Sequence, residues 1–69
     1  MKVINISING VTRQLPESTS VANLIEEMSL TGKRIALERN GNIVPRSLFA
    51  EQLLVDGDKL EIVIAVGGG

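Results

Sequence analysis

The sequence predicts an α+β fold in which a mixed sheet of about five strands packs on one helix, in the order β-β-α-β-β-β. Three observations carry that prediction. Apolar residues alternate along an extended chain near both ends, in "KVINISI" and "KLEIVIAV". The period changes to that of a helix once, in "SVANLIEEM". Asn-Gly dipeptides, the strongest short-range hairpin signal, follow two of the strand-like runs.

Taken in order, Ile4, Ile6 and Ile8 fall on one side of the first strand while Lys2, Asn5 and Ser7 break up the remainder. Asn9-Gly10 suits the two positive-φ positions of a type I′ turn, so "VTRQL" returns antiparallel and ends at Pro16. Val21, Leu24, Ile25 and Met28 then stand at i, i+3, i+4 and i+7, one apolar stripe of a helix spanning about residues 20–29. Thr19 or Ser20 supplies the N-cap, and Gly32 or the Leu30-Thr31 step closes the helix. "RIALERN" alternates again and ends at Asn40-Gly41, after which "NIV" pairs until Pro45. Ser47 is placed to cap one helical turn through Leu48, Phe49 and Ala50, and "VDGDK" reads as a tight turn. In the last strand Leu60, Ile62, Ile64 and Val66 alternate with Lys59, Glu61, Val63 and Ala65.

One sheet folded across one amphipathic helix is the simplest way to bury the helical stripe, which gives a ubiquitin-like, β-grasp roll. The first and last strands are expected side by side and parallel at the centre of the sheet. Their near-continuous apolar character, in "VINISI" and "LEIVIAV", fits burial. A body over residues 1–66 followed by a flexible glycine tail over 67–69 is the expected division.

Composition narrows the chemistry. The chain has 69 residues, enough for one domain, with 43% apolar and 22% charged residues and a formal net charge of −1. A near-neutral balance and a single aromatic, Phe49, argue against a nucleic-acid surface. No run is long enough to span a bilayer and the N-terminus alternates, so a cytoplasmic protein is expected. Cysteine and histidine are both absent, which removes disulfides, thiolate metal sites and the commonest general base. Five serines, three threonines, three lysines and eight carboxylates remain, a thin inventory for a self-contained enzyme. Asp56-Gly57-Asp58 offers too few ligands for a calcium loop and reads as a turn. Glu26-Glu27 reads as the solvated face of the helix, and Arg34, Arg39 and Arg46 as exposed charges. No metal site and no catalytic residue are expected.

The ending "VGGG" adds nothing to a core, because glycine loses the most conformational freedom on folding. Gly67, Gly68 and Gly69 extend at most about 10 Å beyond Val66. An enzyme acting on the terminal carboxyl must therefore dock on the body nearby, and Val63, Ala65 and Val66 are the candidate contact residues. Glycines pass through a narrow slot and leave the last carbonyl open to attack. With a reference pKa of about 3.3–3.7 the α-carboxyl is ionised at neutral pH and resists nucleophiles, so it needs activation, such as mixing with the α-phosphate of ATP.

The segments "INISINGVTRQL", "SVANLIEEM", "ALERNGNIVPRS", "DGD" and "EIVIAVGGG", in this order and length, resemble the thiamine-biosynthesis sulfur carriers of the ThiS family. These are small β-grasp proteins related to the molybdopterin-synthase small subunit and to ubiquitin, and the resemblance covers essentially the whole chain. It implies that Gly69 is adenylated by a ubiquitin-activating-like adenylyltransferase, which uses the ATP, so the carrier itself binds no cofactor. It further implies conversion to a thiocarboxylate with sulfur from a cysteine desulfurase route, and transfer of that sulfur to thiazole synthase. Sulfur then rides on the main chain, consistent with a chain lacking cysteine. Two departures stand out: Gly67 extends the family's terminal Gly-Gly to three, and Leu48-Phe49 occupies a segment where a bulky aromatic is frequent. Delivery to molybdopterin or another sulfur-requiring pathway, a ubiquitin-like modifier joined to lysines, and a plain interaction domain with an idle tail are the alternatives. A monomer is expected when the carrier is alone.

Overall fold

The computed structural model describes residues 2–65. Its elements are β1 (Val3–Ile8), β2 (Val11–Pro16), α1 (Val21–Glu27), β3 (Ile35–Arg39), β4 (Asn42–Ile43), a 3₁₀ turn (Arg46–Leu48) and β5 (Lys59–Ile64). The sheet runs in the order β2-β1-β5-β3-β4, with β1 and β5 parallel and the other pairs antiparallel. The expected β-grasp architecture, with the first and last strands adjacent and parallel, is thus observed. Both hairpins close through type I′ turns: φ is 51° and 86° at Asn9 and Gly10, and 51° and 87° at Asn40 and Gly41.

Alternation along the strands sends Ile4, Ile6, Ile8, Leu15, Leu37, Leu60 and Ile62 to the face covered by α1, where Val21, Leu24 and Ile25 meet them. Leu30, Val44, Phe49 and Leu54 close the ends of this core, and Met28 packs half-buried at its margin. The apolar runs of β1 and β5 are buried on that one face only. Val3 is 57% exposed and Val63 65% exposed, because the single helix leaves the second face of the sheet uncovered. The core face of β5 also stops sooner than its alternation suggests, since Ile64 is 44% exposed.

The helix is shorter than its stripe implies. Ser20 is the N-cap, its hydroxyl oxygen accepting the Asn23 N–H at 3.0 Å. The Val21 and Ala22 N–H groups, unpaired within the helix, donate to the carbonyls of Gln52 and Phe49, so the segment after β4 completes the helix N-terminus. At the other end Ser29 adopts φ 60°, the Ser29 N–H donates to Glu26 O and the Leu30 N–H to Ile25 O. That is a Schellman ending with serine in the glycine position, and it lays Leu30 against Ile25 in the core. The helix therefore ends at Met28, ahead of Gly32 and the Leu30-Thr31 step. Ser47 lies inside the 3₁₀ turn and caps nothing. The turn begins at Pro45, which has no side-chain cap, and carries Phe49 into the core.

Candidate functional site at the end of β5

β5 is held from both sides at its beginning and from one side at its end. Ser7 and Ile8 of β1 pair with Lys59 and Leu60, and β3 pairs along the whole of β5 from Arg39↔Leu60 to Ile35↔Ile64. Beyond Ile8 the chain turns into its hairpin, and Asn9 takes over. Its N–H donates to Leu60 O at 2.9 Å, its side-chain Nδ2 donates to Ile62 O at 3.1 Å, and its Oδ1 accepts the Ile62 N–H at 2.9 Å. One amide thus continues the parallel ladder past the end of β1. Among the described residues, β3 and the Ala65 N–H bond to Arg34 O at 2.8 Å hold the strand after Ile62.

The entrance to β5 is fixed more firmly. Asp58, 3% exposed, accepts the Val55 N–H at 2.9 Å and the Asn40 Nδ2 at 3.0 Å, and pairs with Arg39 Nη2 at 2.8 Å. Burial pushes the Asp58 carboxyl up, but the Val55 N–H, the Asn40 amide and the Arg39 guanidinium together hold it below its usual value. Arg39 also donates to Gln52 Oε1 at 2.8 Å and Leu53 O at 2.9 Å, so it is a structural strut and not the exposed charge its sequence context suggests. Asp56 accepts the Asn5 N–H at 2.7 Å, and Asn40 Oδ1 accepts the Lys59 N–H at 2.9 Å. The "VDGDK" turn binds both neighbouring strands.

Of the predicted site residues, Val63 and Ala65 are exposed beside one another at the end of β5, on the face away from the helix. Ala36 lies directly across from Val63 and is exposed too. Val66 and the attachment residue Gly69, with Gly67 and Gly68, lie outside the described residues, as does the boundary expected at residue 66. Around the end of β5 stand Lys33 and Arg34, both exposed, and Arg46, whose guanidinium donates to Lys33 O at 2.6 Å. Glu26 and Glu27 are exposed on the helix as expected, with Glu27 at 3.4 Å from Arg13. Among the described residues no group of three or more carboxylates converges as a metal site would require. Phe49 fills the core and Leu48, 37% exposed, lies at the surface.

Sequence reasoning missed the two asparagine locks and the Asp58–Arg39 pair. Both Asn-Gly turns announce themselves locally, but the targets of their side chains are 53 and 18 residues away.

The chain has relatives among known proteins. The model of the ThiS family matches residues 6–69. The chain is 42% identical over 66 residues to a thiazole synthase of Paramagnetospirillum magneticum; the match covers 96% of this chain and only 20% of that enzyme, about a fifth of its length. It is 38% identical over 68 residues to the uncharacterized protein ycf40 of Porphyra purpurea, covering 99% of this chain and 96% of that protein. Among solved structures, the crystal structure of the thiamine biosynthesis protein (ThiS) from Geobacter metallireducens superimposes with a TM-score of 0.81 at 28% identity, over 96% of this chain and 100% of that one.

Proposed function

The chain belongs to the ThiS family, and from that premise we propose that it is a sulfur carrier for thiazole formation in thiamine biosynthesis. The working atom is the carbonyl carbon of Gly69. Its carboxylate attacks the α-phosphate of ATP on a ubiquitin-activating-like adenylyltransferase, pyrophosphate leaves, and an acyl adenylate forms. Sulfur from a cysteine desulfurase route, delivered at the sulfide level, then attacks the acyl carbon and displaces AMP to give the thiocarboxylate; thiazole synthase takes the sulfur, and an oxygen atom exchanged from the sulfur acceptor or from water restores the carboxylate. The carrier is a co-substrate and its partners do the catalysis.

The observation that carries this reading is the family match that runs through Gly69. The local structure supports it: Val63 and Ala65 are exposed at the end of β5, where β3 is the one pairing partner among the described residues, which leaves room for an enzyme to receive the segment that follows. Val63, Ala65 and Val66 form the contact surface nearest that segment, and Gly67-Gly68 the slim approach to the reacting carbonyl. The thiazole synthase of Paramagnetospirillum magneticum, which contains a segment 42% identical to this chain, favours thiazole formation over delivery to molybdopterin.

Incubation with ATP, the adenylyltransferase and a sulfur source, followed by intact-protein mass spectrometry, tests the proposal. Exchange of one oxygen for sulfur at Gly69 is expected, and deletion of Gly69 should abolish both the exchange and ATP-dependent adenylation. Sulfur found on another residue, or branched peptides joining Gly69 to lysines as the main product, would replace this reading with another.

A further inference from the structure

Asn9-Gly10 and Asn40-Gly41 share one turn conformation, but the two asparagine side chains are anchored differently. Asparagine is a thermolabile side chain, and a following glycine exposes it most, because the next backbone nitrogen reaches the amide carbon with no Cβ in the way. Gly10 is open to that approach: its N–H donates to no group among the described residues, and a Cβ built on it would meet nothing within 4 Å. The same holds at Gly41. Both asparagines are exposed, so water reaches either amide. What distinguishes the sites is the anchor. The Asn9 amide is held by the carbonyl and the N–H of Ile62, at 3.1 and 2.9 Å, where β5 has already left β1. Asn40 Oδ1 accepts the Lys59 N–H at 2.9 Å, where β5 still lies between β1 and β3. Its Nδ2 donates at 3.0 Å to the carboxylate of Asp58, which is buried and paired with Arg39. A hydrogen bond to an ionised acceptor is stronger than one to a neutral carbonyl.

We infer that Asn9 is a site of spontaneous deamidation in the folded protein, and that Asp58 spares the same dipeptide at Asn40-Gly41. When the end of β5 opens, the Asn9 side chain is released and turns toward Gly10. The Gly10 nitrogen gives its proton to solvent base and bonds to Asn9 Cγ; the Cγ–Nδ2 bond breaks, and ammonia leaves with a proton drawn from water. Water then opens the five-membered imide at either carbonyl. Cleavage of the new N–Cγ bond leaves aspartate, and cleavage of the original peptide C–N bond leaves isoaspartate, with the main chain running through Cγ. Neither product restores the clamp. Aspartate has no N–H for Ile62 O and sets an ionised oxygen against that carbonyl. Isoaspartate adds a methylene to a two-residue turn whose Ile8↔Val11 register leaves no place for it. The core is untouched, and the loosened segment is the end of β5. The rate follows the fraction of time the clamp stands open, which is larger at Ile62, beyond β1, than at Lys59, between two strands.

The test ages the full chain in mildly alkaline buffer and follows replacement of NH2 by OH through mass spectrometry of its tryptic peptides, of which residues 3–13 carry Asn9 and residues 40–46 carry Asn40. In the folded chain Asn9 should convert about fivefold faster than Asn40, and about tenfold slower than the same residue in urea, where its two hydrogen bonds are gone. In urea the two sites should convert within about twofold of each other, because the fold is what separates them. The Asn9→Asp chain, which carries one product and keeps a residue that tolerates the turn, should exchange its Ile62 amide hydrogen about tenfold faster than the wild type while the β1–β2 ladder keeps its protection. Conversion at Asn40 first, equal rates at both sites in the folded chain, or an Asn9 that stays intact over many lifetimes of the unfolded site overturns the inference. Unaltered exchange at Ile62 in the Asn9→Asp chain overturns it as well.

Discussion

The side-chain amide of Asn9 holds Ile62 at two points, Nδ2 donating to its carbonyl at 3.1 Å and Oδ1 accepting its N–H at 2.9 Å. A residue of the first hairpin turn thereby sets the position of the last strand at the point where β1 has ended. Asn40 does the equivalent work in the second hairpin, with its N–H on Lys59 O at 2.7 Å and its Oδ1 accepting the Lys59 N–H. Two turn residues, each chosen locally for positive φ, become the clamps of β5.

Asn9→Gly tests the first clamp without disturbing the turn, since glycine accepts the φ of 51° freely. Losing both amide bonds should cost about 1–3 kcal/mol in urea unfolding. Hydrogen exchange should accelerate at the Ile62 amide first. Unchanged protection there would show that β3 alone holds the strand.

Asp58 makes the fold acid-sensitive. Its folded-state carboxyl sits below the unfolded value, so its contribution is complete above the unfolded pKa of about 3.9 and is lost as pH falls through the lower folded value. Stability should therefore decline below about pH 4. Asp58→Asn, which turns an N–H₂ group toward donors and leaves Arg39 without its carboxylate, should cost about 2–4 kcal/mol at pH 7 and flatten that acid limb. Denaturant midpoints measured from pH 2 to 7 would show both effects.

Ser29 carries the helix ending in a left-handed conformation that costs a non-glycine residue about 1–2 kcal/mol. Ser29→Gly relieves that strain at some cost in unfolded-state freedom, and should stabilise the protein by about 0.5–1 kcal/mol, read as a higher melting temperature.

Val63 tests the contact surface proposed for the adenylyltransferase. It is 65% exposed and contributes nothing to the core, so Val63→Ser should change stability by only about 0.5 kcal/mol. It should nevertheless raise KM about fivefold in the adenylation assay with little change in kcat, as expected for an apolar contact made on docking.

The element order, both type I′ hairpins and the buried side of β1 are legible in the residues because they are local or periodic facts. Asn-Gly at residues 9–10 and 40–41 suits a turn wherever the chain goes next, and Ile4, Ile6 and Ile8 must share a face at a repeat of two. The helix end is hidden for the same reason in reverse: a serine in the left-handed position carries no glycine signal, while Gly32 further on does. Arg39 looked like a surface charge because its partner Asp58 lies across a turn that only folding brings near.

What the sequence determined by itself is the set of elements, the inward face of the first strand and of the helix, and the glycine ending whose likeness to the sulfur carriers points to Gly69. What the tertiary structure alone decided is neighbourhood: Asn9 on Ile62, Arg39 on Asp58, Glu38 across from Glu61. Periodicity tells which side of a strand a residue occupies and is silent on which strand lies beside it or in what register. Those are chosen by the packed core as a whole, through contacts between residues as much as 53 positions apart.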